Sequence, residues 1–353
     1  MKIGLLTFHY CFNQGAVLQA YGLYKCLSHY ADVEFIDYKL QILENRYSIV
    51  KSAINSLHNS NGLKNKVKTL VSSLIFSISR TVLFKRFIRK HLRCSRSSMT
   101  DIYDHIFVGS DQVWNGNITG GYDNYYWGCF PHIKKQRVHS YAASCIARQD
   151  LIDKEDVLKR VSVFDNISVR EYEAHKFLND YQIANSLVLD PVFLLDKDEW
   201  LKLTYNISQK YIYEYNILGV KVSKSIVNNI KQTTGIVREK NMIYNKYKVC
   251  FSPSRFLSVI KNAEYVITSS FHGLAFSIIF ERPFVVVKSG TQKDGRLLSL
   301  LALIGCEERA ISEVSELNKL KPINWQDVKE RLSAAKKESM NFIYKCIDRN
   351  DAQ

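Results

Sequence analysis

Along the chain, short apolar runs alternate with longer segments of helical periodicity, and polar or glycine-bearing loops separate them. Residues 2–7 form an apolar run, residues 9–16 a loop, and an apolar-periodic segment continues to Leu27; residues 33–38 are β-branched and aromatic. This pattern predicts strand, loop, helix and strand, the opening of a βαβ unit. Residues 106–108, 138–142 and 166–169 predict further strands, and each delivers polar groups at its end: Gly109-Ser110-Asp111-Gln112, Ala143-Ser144-Cys145 and Arg170-Glu171. A second alternation follows Asp190-Pro191, where proline forces an extended chain. It predicts a strand at 211–218, a helix at 224–231, a strand at either 236–237 or 242–244, and a helix at 253–262. Next come a strand at 265–268, a loop at 269–273, a helix at 274–280 and a strand at 284–287. Arg296 opens a helix to Leu303, and residues 325–345 predict a last helix, expected to cross back onto the first domain.

The expected fold class is therefore α/β, with two Rossmann-like domains facing a cleft: residues 1–188 and 189–353. Residues 40–100 interrupt the first domain as a helical insertion broken near Asn59-Ser60-Asn61-Gly62. Within it Val67, Leu70, Val71, Leu74, Ile75 and Ile78 repeat at three and four, flanked by lysines and arginines. The net charge of +15 concentrates there: residues 45–100 hold twelve Lys or Arg and no Asp or Glu, so 15 − 12 leaves +3 for the rest. Such a helix suits an anionic membrane surface, or packs on its domain with a solvated face. Without a run of 18 apolar residues or a signal-like start, the expected location is cytoplasmic, peripheral at the inner membrane face through residues 45–100. The eight cysteines are scattered without a C-x-x-C pair, reading as reduced thiols.

Candidate chemistry gathers at the predicted strand ends. Ser269, Ser270, His272 and Gly273 follow a strand and open a helix, where unpaired N–H groups make a receptor for phosphate or carboxylate. Their alternative role is local: Ser269 or Ser270 as an N-cap, and His272 as a hydrogen-bonded structural histidine. Asn13, Gln14 and Gly15 occupy the equivalent place after the first strand, and Asp111, Gln112 and Trp114 after the strand at 106–108. Arg170 and Arg296 are the candidate anion-reading arginines. There is no G-x-G-x-x-G and no G-x-x-x-x-G-K-[ST], and no Cys/His cluster at metal spacing. A metal-free transferase with a phosphorylated donor and no cofactor is the reading these residues support. The positive charge sits apart from any series of stacking aromatics, which argues against nucleic acid.

Six segments carry a family resemblance: residues 13–21 (NQGAVLQAY), 108–115 (VGSDQVWN), 140–144 (SYAAS), 167–171 (ISVRE), 189–191 (LDP) and 267–273 (ITSSFHG). In this order they resemble the signature segments of polysaccharide pyruvyltransferases, over about residues 3–304. The resemblance implies a two-domain fold like that of GT-B glycosyltransferases. It also implies phosphoenolpyruvate as donor and a hexose of a polysaccharide or lipid-linked glycan precursor as acceptor. The family's proposed catalytic histidine falls on His272. Some members carry an arginine two residues earlier, where this chain has Ser270, which leaves the donor anion to Arg170 and Arg296. On this expectation His272 is the general acid and Asp111 accepts a hydroxyl proton. Arg170, Ser269, Ser270, Gly273 and Arg296 hold the donor, while Asn13, Gln14, Gly15, Gln112 and Trp114 hold the acceptor. The alternatives are a GT-B glycosyltransferase using a nucleotide sugar and a catalytically silent anion-binding module. The oligomeric state stays open.

Overall fold

A computed structural model describes residues 1–49, 63–94, 102–131, 134–144, 154–217, 220–241, 251–291 and 294–347. The chain divides into two compact units. Unit 1 comprises Met1–Leu195 with Lys246–Pro253 and Ala335–Gln353; unit 2 comprises Asp196–Asn245 and Ser254–Ala334.

Unit 1 contains β1 (Lys2–Leu6), α1 (Gln14–Leu27), β2 (Asp32–Phe35), α2 (Gln41–Tyr47), α3 (Leu63–His91), β3 (Ile102–Val108), α4 (Gly116–Thr119), β4 (Lys134–Ala143), α5 (Lys154–Val161), β5 (Asn166–Val169), α6 (Tyr172–Asp180) and β6 (Ser186–Leu187). Its six strands run in the order β2-β1-β3-β4-β5-β6, with every pairing parallel. Parallel strands covered on both faces need apolar residues at successive positions, and Ile3, Leu5, Leu6, Ile106, Phe107 and Val108 are fully buried. Gly22 lets α1 approach Pro191, whose carbonyl oxygen lies 2.5 Å from where a Cβ would stand. The division falls after Leu195, so Leu189-Asp190-Pro191 stays within unit 1. Asp190 pairs with Arg170, and the Leu189 amide donates to Ser339 Oγ at 2.9 Å.

Unit 2 contains α7 (Lys197–Leu201), β7 (Ile212–Tyr215), α8 (Lys224–Thr234), β8 (Glu239–Asn241), α9 (Pro253–Lys261), β9 (Tyr265–Thr268), α10 (Phe271–Ile279), β10 (Phe284–Val287), α11 (Gly295–Ile304) and β11 (Ala310–Ile311). Its parallel strands run β11-β10-β9-β7-β8. The strand of uncertain place is β8 at Glu239–Asn241; the candidate at 242–244 lies outside the described residues. The last helix, α12 (Trp325–Ile347), belongs to unit 2 up to Ala334 and to unit 1 from Ala335. Its Lys329 pairs with Glu281 at 3.1 Å, and its Phe342 ring stands 6.2 Å from Tyr141.

The insertion is helical as expected, but the face of its long helix that turns inward is not the expected one. Its helices are α2 and the 29-residue α3, which begins just after the predicted break at 59–62; residues 50–62 and 95–100 lie outside the described residues. The side of α3 facing the protein is not the apolar repeat: Thr69, Ser73 and Ser77 are buried with Phe84 and Phe87, while Val67, Val71, Ile75, Ile78 and Val82 are exposed. Residues 66–91 are also long enough to cross a membrane and contain an 18-residue window with a mean hydropathy of 1.4. This corrects the expectation drawn from uninterrupted runs, because serine and threonine lower the mean much less than charge does. Cys11, Cys26, Cys94, Cys129, Cys306 and Cys346 are free thiols, as expected; Cys145 and Cys250 lie outside the described residues.

Candidate active site

In each sheet the strand order turns back once, and the loops diverging there open a crevice at the carboxyl edge. In unit 2 the turn lies between β7 and β9, since β8 pairs on the other side of β7. Two loops meet at this point: Asn216-Ile217 after β7, and Ser269-Ser270 leading into α10. The serines join them. The Ile217 amide donates to Ser269 Oγ at 3.0 Å, and the Ser269 amide donates to the Tyr215 carbonyl at 3.3 Å. Ser270 is the N-cap of α10, its Oγ accepting from the Gly273 amide at 3.4 Å. Thr268 Oγ1 accepts from the Ser270 amide at 3.0 Å and donates to the Tyr215 carbonyl at 2.6 Å. Both hydroxyls expected at the donor therefore also perform the local role, fixing where the helix begins.

Gly273 has a steric reason. A Cβ there would stand 2.3 Å from Thr268 Oγ1 and 3.0 Å from the Tyr215 ring, so only glycine lets α10 start this close to β7 and β9. His272 is the second residue of α10 and half-buried, its ring meeting Phe271 edge-on at 5.3 Å. It thus sits where the helix N–H groups and dipole favour an anion. Arg296 opens α11 and lines a small recess with Ile217, Ser269, Phe271, Ser289 and Asp294. Asp294 shapes the loop after β10 by accepting from the Ser289 and Gly290 amides, each at 3.0 Å. Asp294 lies outside the six family-like segments, and Thr268 lies inside one without an assigned role; the topology shows that both hold the site.

In unit 1 the strand order turns back between β1 and β3. Gln19, wholly buried on α1, donates through Nε2 to Thr7 Oγ1 at 2.9 Å, and Thr7 Oγ1 donates to the Ser110 carbonyl at 2.8 Å. These two residues, absent from the sequence-based candidates, tie together the loops after β1 and β3. Gln19 lies within the 13–21 segment, and a polar side chain on an apolar helix face is its signal. Asn13 is the exposed N-cap of α1, accepting from the Ala16 amide at 3.2 Å. Gln14 is buried and donates through Nε2 to the Phe251 carbonyl at 2.7 Å, and Gly15 is buried in the same first turn. Asp111 takes a positive φ of 78°, and its Oδ1 accepts from the amide of the next residue, Gln112, at 2.9 Å. Gln112 Oε1 accepts from Asn115 Nδ2 at 2.9 Å. His9, also buried here, has its pKa lowered by burial to about 4.

Two of the expected side chains are engaged elsewhere. Trp114 is buried, stacked on Trp127 with ring centroids 4.8 Å apart, and its Nε1 donates to the Tyr126 carbonyl at 3.0 Å; it is core rather than a sugar platform. The guanidinium of Arg170 is buried against Asp190, with Glu171 at 3.3 Å and Ser144 Oγ at 2.9 Å. Burial alone would lower its pKa, and the two carboxylates hold it above the ordinary value. Arg296, the other candidate anion-reading arginine, stands beside the start of α10. Among the described residues no group of three or more His, Cys, Asp or Glu is placed to hold a metal ion.

The fold and these two strand-end crevices define an α/β protein of two parallel-sheet units, with a histidine and an arginine at the crevice of the second. A family model described as polysaccharide pyruvyl transferase matches residues 13–290. The chain belongs to the polysaccharide pyruvyl transferase family. A comparison with curated proteins found no match. Among solved structures, the chain is similar to UDP-GlcNAc 2-epimerase from Neisseria meningitidis bound to UDP-GlcNAc, with a TM-score of 0.48 at 11% identity, covering 98% of this chain and 100% of that one. The Methanocaldococcus jannaschii UDP-GlcNAc 2-epimerase in complex with UDP-GlcNAc and UDP gives 0.44 at 11% identity, with the same coverages of 98% and 100%. The E. coli heptosyltransferase WaaC with ADP-2-deoxy-2-fluoro heptose gives 0.31 at 11% identity, covering 82% of this chain and 90% of that one.

Proposed function

We propose that the protein transfers a pyruvyl group from phosphoenolpyruvate to two hydroxyls of a hexose in a cell-surface polysaccharide or lipid-linked glycan precursor. The product is a ketal, with release of phosphate. The observation that carries this reading is His272 in the first turn of α10, at the turning point of the unit 2 sheet, with Arg296 beside the same loop.

Carbon 3 of the donor takes a proton from His272, and the positive charge develops at carbon 2. One sugar hydroxyl adds to carbon 2; phosphate then leaves with the carbon–oxygen electron pair, and the second hydroxyl adds. Of the two hydroxyl protons released, one restores His272 and the other leaves with phosphate. Imidazole suits the role because its ordinary pKa lies near neutrality. Arg296 and the α10 N–H groups supply positive charge to phosphate and carboxylate, and Ser269 and Ser270 hold that cradle in shape. Asn13, Gln14, Gly15, Gln112 and Asp111 are assigned to the acceptor side, with Asp111 taking the hydroxyl proton that then leaves with phosphate.

The test gives purified protein phosphoenolpyruvate and a panel of galactose-, glucose- and mannose-type acceptors, reading phosphate release and acceptor mass beside His272→Ala. Ketal formation that disappears in the variant supports the reaction and the acid. Thermal stabilisation by a nucleotide sugar and not by phosphoenolpyruvate would replace it with glycosyl transfer, and stabilisation by neither would favour a silent anion-binding module.

A further inference from the structure

Helix α3 keeps its small polar side chains in and its apolar ones out. Thr69, Ser73, Ser77, Phe84 and Phe87 are buried, and at about 100° per residue they fall on one side of the helix. On the opposite side Val67, Val71, Ile75, Ile78 and Val82 are 55, 50, 55, 50 and 58% exposed. They share an arc of about 80° and form a stripe about 22 Å long. Lys85 and Arg89 continue this stripe in phase, and Lys68, Arg86 and Lys90 are exposed beside it. A continuous exposed apolar strip of this length marks an interaction surface.

We propose that α3 docks the protein on an anionic lipid bilayer, lying in its plane with the valine and isoleucine stripe at the headgroup–acyl boundary and the basic end on lipid phosphates. Charge selects the occupant: residues 45–100 hold twelve Lys or Arg and no carboxylate, which complements an anionic surface. A second copy fits poorly, because residues 63–91 contain no Asp or Glu and an isologous contact would set like charges against each other. The packing selects lying over spanning. Phe84 stands 5.8 Å from the Phe12 ring and Phe87 6.3 Å from Tyr21, and both contacts would break if α3 left its seat to cross the bilayer. Beside the stripe, Val82, Lys85, Arg86 and Arg89 form one wall of an open groove of about 1520 Å³, whose other lining includes Lys39 paired with Asp37 and Arg93 paired with Glu34. A docked α3 sets the basic α3 wall of this groove at the level of the headgroups. The inference is independent of the reaction proposed above.

The test is co-sedimentation of the full chain with phosphatidylcholine vesicles, with and without phosphatidylglycerol, at low and high salt. Wild type is expected on the anionic vesicles only, released by added salt and by alkaline carbonate. Val71→Ser/Ile75→Ser/Ile78→Ser, all at exposed positions, is expected to lower the partition at least about tenfold. Lys85→Gln/Arg89→Gln/Lys90→Gln is expected to lower it on the order of a hundredfold, about fivefold per charge. Val237→Ser, at an 83% exposed site in unit 2, leaves it unchanged. As a measurement that does not rely on loss of binding, Ile75→Trp is expected to add blue-shifted emission on anionic vesicles. Equal binding by the stripe variant, unshifted Ile75→Trp emission or retention after carbonate would overturn the proposal. So would a dimer that the stripe variant dissociates while no vesicle binding occurs.

Discussion

Replacing Arg170 by methionine separates two roles that its place at a strand end made equivalent. Its side chain is 3% exposed, and the side chains of its partners Asp190 and Glu171 are 0% and 2% exposed, so removing the guanidinium leaves two carboxylates buried near one another. Breaking a buried pair in this way costs about 3–5 kcal/mol, far more than the 0–1 kcal/mol of a surface pair. Arg170 also donates to Ser144 Oγ at 2.9 Å, and Ser144 in turn donates to Glu171, so one substitution disrupts three elements at the carboxyl edge of the unit 1 sheet. At roughly 2–4 °C per kcal/mol for a unit of this size, the melting temperature should fall by about 6–20 °C. Asp190→Asn in the same background should recover part of the loss by removing one buried charge. The assay is a thermal melt followed by circular dichroism, with KM for phosphoenolpyruvate measured well below the lowered transition. A melting temperature within about 2 °C of wild type, together with a large rise in that KM, would refute the structural role and return Arg170 to the donor.

His272→Ala is expected to abolish phosphate release, by at least the 10²–10⁴ of a general acid, while leaving the melting temperature within about 2 °C, since the residue is half-buried at a helix start. Gly273→Ala should destabilise by about 1–3 kcal/mol, because its Cβ meets Thr268 Oγ1 at 2.3 Å; urea unfolding reads the shift. Trp114→Ala should cost about 3–5 kcal/mol of stability, whereas a sugar-stacking residue would raise the acceptor KM with little change in stability. Stability should fall on acidification. Burial lowers His9 from 6.5 to about 4, so the unfolded chain binds more protons between these values and stability rises with pH across that window. By pH 5 the loss from His9 is about 2 kcal/mol, and urea midpoints at pH 7 and pH 5 should converge in His9→Gln relative to wild type.

The strand ends were legible because a parallel sheet buried on both faces writes each strand as an apolar run and leaves polar residues just beyond it. That placed 106–108, 166–169, 265–268 and 284–287 on β3, β5, β9 and β10, and the strand orders then put the 7–14, 109–112 and 269–273 loops at the turning points of their sheets. What a polar residue does after a strand end is set by partners distant in sequence. Arg170 answers to Asp190 twenty positions on, and Ser269 to the Ile217 amide 52 positions back, so neither role could be read locally. The same holds for α3. Val67, Val71, Ile75 and Ile78 recur at helical spacing, but so do Thr69, Ser73 and Ser77, and periodicity defines two faces without saying which one turns inward. The choice is made at the C-terminal end of the helix. Phe84 and Phe87 lie in phase with Ser77 and Ser73 rather than with the valines, and their seats against Phe12 and Tyr21 fix the rotation of all 29 residues. Once those two rings are placed, the outward stripe follows from the 100° step of the helix, as far as Val67 about 25 Å along the axis from Phe84.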